Sequence, residues 1–199
     1  MDIIVTAPVA LRATMVAARE HKEELLKRYA SVYVQKAAGI EKYAGKEPEI
    51  AGGSDVLFPG RAKEAAVHSA EMQSGSNTSS REKQKGGTFF CREITKGGVE
   101  AALWELAEEA KAGLRVDLRA IPIRQETVEV FNTLDQDPYI LDSFGSWLLF
   151  TEHGAEVLAE LHGQGDTEAS VIGYTTKDRK RILSYSGVER FLLPPKRYL

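Results

Sequence analysis

From Thr88 to Tyr185 the chain alternates, at short intervals, between β-branched or aromatic runs and segments of helical length, and this alternation constrains the fold more than any other feature. Thr88 to Cys91 reads as a strand. Val99 to Ala112 reads as a helix closed by Gly113, and Leu114 to Leu118 as a strand with Val116 and Leu118 on one face. Glu126 to Leu134 is a helix carried by Val128, Phe131 and Leu134, with Asp137-Pro138 beyond its end. Strand Trp147 to Thr151, helix Gly154 to His162 and strand Ala169 to Tyr174 follow. Lys180 to Tyr185 is expected as the last strand, paired as a hairpin across Lys177-Asp178. Strands and helices interleaved in this way imply a mixed β-sheet covered by helices, in the α/β or α+β class.

The first half begins with a short strand, Asp2 to Thr6, which Pro8 ends because proline supplies no N–H to a ladder. From Leu11, apolar Met15, Ala18, Leu25, Leu26 and Tyr29 fall near helical spacing, which predicts one long amphipathic helix. Val32 to Tyr43 repeats the pattern more weakly and runs into Gly45 and Pro48. Residues 45–87 are loop-rich, with one helix expected over Ala62 to Met72. The tract Ser74 to Gly87 has too few apolar side chains to offset about 1–2 kcal/mol per residue of backbone ordering, so mobility is expected there. Residues 1–199 are read as a single domain with that insertion.

Composition removes several classes of function. Lys and Arg number 26 against 29 Asp and Glu, a formal charge of −3, so no global basic field draws the chain to nucleic acid or anionic lipid. No apolar run approaches the roughly 18 residues that span a bilayer. Asp2 stands where a secretory signal would carry basic residues, and Cys91 is the one cysteine, which excludes an internal disulfide and fits a reducing cytoplasm. A chain of 199 residues buries enough surface to need no metal or disulfide staple.

The stretch Cys91-Arg92-Glu93-Ile94-Thr95-Lys96-Gly97-Gly98-Val99 sits where a strand hands over to a helix. Unpaired N–H groups at a helix start, with two glycines that allow close approach and a lysine charge, suit a phosphate or other anion. The candidate ligand-binding residues are Glu93, Thr95, Lys96, Gly97 and Gly98. The alternative is structural: Thr95 caps the helix and the glycines make a tight turn.

Glu93-Ile94-Thr95-Lys96-Gly97-Gly98 with the helix Val99 to Glu108 resembles the corresponding turn and helix of the C-terminal domain of the AIR synthase superfamily. The similarity continues through Ile121-Pro122-Ile123-Arg124-Gln125, Asp137-Pro138-Tyr139, Ser143 to Leu149 and Val171-Ile172-Gly173, and the opening Asp2 to Tyr43 resembles the start of that domain. Residues 45–90 contribute nothing to it. The hydrogenase-maturation branch is the nearest in pattern. The resemblance implies an ATP-dependent family whose N-terminal half, which holds ATP and magnesium, has no counterpart here. ATP and magnesium are therefore expected only if a separate ATP-binding half completes the site, the partner being that subunit or a second copy in a homodimer. Three glycines of the family's first turn correspond to Ala7, Ala10 and Ala13, and alanine avoids φ > 0, so this turn is expected to cradle a nucleotide poorly. Arg92-Glu93 replaces a His-Asp pair, which removes a titratable ring from that position.

The four histidines, His21, His68, His153 and His162, lack the i, i+4 spacing of a helical metal pair, so no metal is expected. Cys91 is read as a small buried apolar residue and Ser143 to Ser146 as a structural turn. The tail from Phe191 to Tyr198 is read as an apolar strap on the domain, the alternative being a strap that binds a partner.

Overall fold

A computed structural model describes residues 1–45, 89–165 and 168–195. The elements are β1 (Asp2–Val5), α1 (Leu11–Glu20), α2 (Lys22–Leu26), α3 (Ser31–Ala38), β2 (Phe89–Glu93), α4 (Gly98–Glu109), β3 (Gly113–Asp117), α5 (Gln125–Thr133), β4 (Trp147–Thr151), α6 (Gly154–Gly163), β5 (Ser170–Thr176), β6 (Arg181–Tyr185) and β7 (Val188–Phe191). Short 3-10 turns occupy Ile40–Tyr43, Leu118–Ala120 and Pro138–Ile140. The strands form one mixed sheet of order β2-β4-β1-β5-β3-β6-β7, in which β3 and β6 are parallel and every other pair is antiparallel. The expected mixed sheet covered by helices is what forms. The helix expected over Ala62 to Met72 lies outside the described residues.

Period-two alternation sends the residues of β1 to opposite layers. Ile3 and Val5 join Leu114, Val116, Leu148, Phe150 and Leu183 beneath Val99, Ala102, Leu103, Leu106 and Ala107 of α4. Those α4 positions recur every three or four residues, so one stripe of the helix meets the sheet. Ile4 and Leu149 face the other way, against Val157 and Leu161 of α6. Each fully buried leucine or isoleucine here contributes roughly 1.5–3 kcal/mol. A third cluster joins α1, α2, α3 and α5 through Ala17, Ala18, Leu25, Val34, Ala37, Val130 and Phe131.

Four expectations are corrected. The long first helix is broken at His21, and the bend buries Leu25 while Leu26 stays 40% exposed. Gly113 does not close the helix before it. Lys111 takes the left-handed conformation at φ 53, and Gly113 opens β3, where a Cβ would strike the Asp178 and Lys180 carbonyl oxygens. That close approach explains the third correction: β5 and β6 are not a hairpin, because β3 lies between them and the 177–180 loop crosses its start. In α5, Glu126, Thr127, Val130 and Phe131 are buried, whereas Val128 is exposed, so the helix is rotated from the face expected of it.

Arginines from three strands clamp α4 onto the sheet. Arg92 of β2 pairs with Glu105 at 3.0 Å and Glu109 at 3.6 Å, Arg181 of β6 pairs with Glu108 at 2.5 Å, and Arg190 of β7 pairs with Glu100. Only Arg181 is buried, with its guanidinium 4.0 Å from the centroid of the Trp104 ring. Arg181→Ala should therefore lower stability by about 2–3 kcal/mol, through lost packing, cation–π contact and ion pair together. Arg92→Ala, at a half-exposed pair, should cost less than about 1 kcal/mol. Urea midpoints of the two variants check the order.

The one buried carboxylate among the described residues, Glu126, is joined to Lys36 of α3 by an ion pair. Burial acts to raise its pKa, but the Lys36 hydrogen bond, a backbone hydrogen bond and the charges of Lys36 and Arg124 together hold the carboxyl below the usual range, while Lys36 is raised. The neighbouring Tyr33 phenol is pushed up to about 12 by burial, then by Glu126 and Glu129. A depressed carboxyl stabilises the fold above its unfolded pKa near 4.5, and that contribution disappears as pH falls through the lower folded value. Glu126→Gln should be less stable than the parent at pH 7, and the gap should close towards about pH 3 in chemical denaturation.

Candidate functional site

The strand-to-helix turn begins where Ile94, fully buried, extends the β2–β4 ladder by donating its N–H to the Ser146 carbonyl at 2.8 Å. Thr95 and Lys96 then emerge into solvent. Gly97 at φ 87 and Gly98 at φ 65 are both left-handed, a consecutive pair that side chains with a Cβ rarely adopt. Gly97 occupies the N-cap position with no side-chain capping bond, so the Thr95 hydroxyl does not cap the helix. Instead the Thr95 carbonyl accepts the Gly98 N–H at 3.0 Å. Gly98 is buried, and a Cβ there would collide with the Tyr139 carbonyl and lie 2.7 Å from the Ile140 carbonyl carbon. The 3-10 turn Pro138–Ile140 thus roofs the start of α4. It is fixed in turn by the Asp137 carboxylate, which accepts the Tyr139 N–H at 2.9 Å, and by the Tyr139 hydroxyl, which donates to the Leu118 carbonyl at 3.1 Å.

The other motif residues are drawn into the same framework. The Glu93 carboxylate accepts the Gly145 N–H at 3.4 Å, and Arg92 turns away to Glu105 and Glu109. The candidate anion site is therefore narrower than expected: Gly98 is sealed and its amide used, Glu93 is engaged, and Thr95, Lys96 and Gly97 are what the turn offers to solvent.

The turn from β1 to α1 is closed by hydrogen bonds. The Thr6 N–H donates to Trp147 O at 3.0 Å, the Val9 N–H to Pro122 O at 2.9 Å and the Ala10 N–H to Ser143 Oγ at 2.7 Å. Ser146 Oγ donates to Pro8 O at 2.8 Å, and Thr14 Oγ1 donates to Ala10 O at 2.7 Å. Ala10 adopts φ 58 despite its methyl group, with its side chain inside the helical cluster. Three amides of this turn, those of Thr6, Val9 and Ala10, are thus donated inward, and Ala7, Ala10 and Ala13 pack against protein. Beside it, the Arg12 guanidinium lies 5.1 Å from the centroid of the half-exposed Phe144 ring.

Cys91 packs with the cluster under α6, not into the turn. His162 Nε2 lies 2.9 Å from the Ala169 carbonyl, His21 lies near Glu24, and His68 is outside the described residues. Among the described residues no three His, Cys, Asp or Glu side chains gather as metal ligands. Sequence reasoning missed the roof over Gly98. Asp137-Pro138, an acid that can cap the turn its proline starts, was the signal for it.

Residues 66–186 match the family described as AIR synthase related protein, C-terminal domain. The chain belongs to this family. The match starts at residue 66, inside a stretch on which the sequence resemblance did not rest. Carbamoyl dehydratase HypE of Rhizobium leguminosarum bv. viciae is 33% identical over 92 residues, which is 45% of this chain and 26% of that protein. HypE of Rhodobacter capsulatus is 37% identical over 75 residues, 38% of this chain and 22% of that one. The crystal structure of Escherichia coli HypE superposes with a TM-score of 0.57 at 18% identity, covering 98% of this chain and 49% of HypE. The structure of a HypE–HypF complex gives 0.59 at 14% identity, with 98% and 52% covered. This AIR synthase-related chain is thus HypE-like in fold and spans about a quarter to a half of the proteins it matches.

Gly98 tests the roofed geometry most simply. Gly98→Ala combines a disfavoured φ with a collision against backbone, which cannot rotate away as a side chain can, so a loss of about 2–4 kcal/mol is expected. A thermal midpoint unchanged from the parent would contradict the packing of Pro138–Ile140 on α4.

Proposed function

We propose that the chain is a hydrogenase-maturation-type binding module that acts by association and has no ATPase activity of its own. The observation that supports this most directly is the internal use of much of the motif: Gly98 N–H on Thr95, Glu93 on Gly145, Arg92 on α4, and the Thr6, Val9 and Ala10 amides on Trp147, Pro122 and Ser143. What the turn retains for a ligand is the Thr95 hydroxyl, the Lys96 charge and the backbone of Gly97, a combination suited to weak contact with a phosphate presented by another subunit. ATP and magnesium enter this reading only on a separate ATP-binding half.

The association has two candidate forms, docking to such a half or homodimerisation. Exposed Tyr174, Tyr185, Val188, Phe191 and Leu193, between 51% and 73% accessible, concentrate apolar surface at the β5–β7 end of the sheet and favour self-association. Among the described residues no helix is long and apolar enough to cross a membrane, and a reducing cytoplasm is the proposed setting. The name carried by the Rhizobium relative, carbamoyl dehydratase, favours one further reading: an ATP-dependent dehydration completed in trans by the ATP-binding half.

The purified chain with magnesium and ATP should show no turnover above buffer, and turnover would contradict the proposal. Calorimetric titration with pyrophosphate should give weak binding that Lys96→Ala abolishes, and no heat from the parent chain would remove the anion contact and leave docking alone. Light scattering at micromolar concentration distinguishes a dimer from a monomer awaiting its partner.

A further inference from the structure

We draw no further inference here: the strongest candidate, the exposed apolar patch of Tyr174, Tyr185, Val188, Phe191 and Leu193 at the β5–β7 end of the sheet, carries nothing beyond the self-association already proposed, because nothing in the structure shows what covers it.

Discussion

The fold turns on a small knot of hydrogen bonds between two segments far apart in sequence. Ser143 and Ser146 hold the β1–α1 turn through Ala10 N–H and Pro8 O, at separations of 133 and 138 residues. Trp147 and Thr6 exchange a second pair, Trp147 N–H to Thr6 Oγ1 at 3.1 Å and Thr6 N–H to Trp147 O. Ile94 N–H on Ser146 O then brings in the end of β2. Three strand ends, β1, β2 and β4, are fastened at one place where Thr6, Ser143 and Ser146 are all buried. Each hydrogen bond adds only about 0.5–1.5 kcal/mol net, but an orphaned buried partner would cost about 1–3 kcal/mol, so the knot specifies the register as well as holding it.

The knot also draws on groups of the family's first turn in this chain. A phosphate cradle needs amides that point outward with no Cβ in the way. Here the Thr6, Val9 and Ala10 amides point inward, and Ala10 holds a left-handed backbone. Across the sheet, Gly97 and Gly98 keep their left-handed geometry, but the space beside Gly98 is filled by the backbone of Tyr139 and Ile140. Glycine at this turn therefore serves close packing between protein segments, a use that sequence cannot tell apart from close approach by a ligand.

The elements that sequence placed well are those whose side chains carry a local signal. β1 and β4 show it in branched and aromatic runs, α4 in its apolar stripe, and α6 in a start at Gly154 that matches expectation. What sequence missed depends on distant partners. No local pattern reveals that β3 pairs in parallel with β6, or that Gly113 fits closely under the 178–180 loop there. Nor does it reveal that α5 buries Glu126, because Lys36 of another helix is what makes that burial tolerable. At the candidate site, Thr95 to Gly98 were legible as a glycine turn between strand and helix, but the engagement of Glu93 and Gly98 required the 137–146 segment to be seen in place.

Native-state amide hydrogen exchange on the whole chain, with and without magnesium–ATP, tests most directly whether these groups belong to the fold. The account predicts that Val9, Ala10 and Ile94 exchange at rates near those of the sheet core and that nucleotide leaves them unchanged. Rapid exchange at these amides, slowed when nucleotide is added, would contradict it.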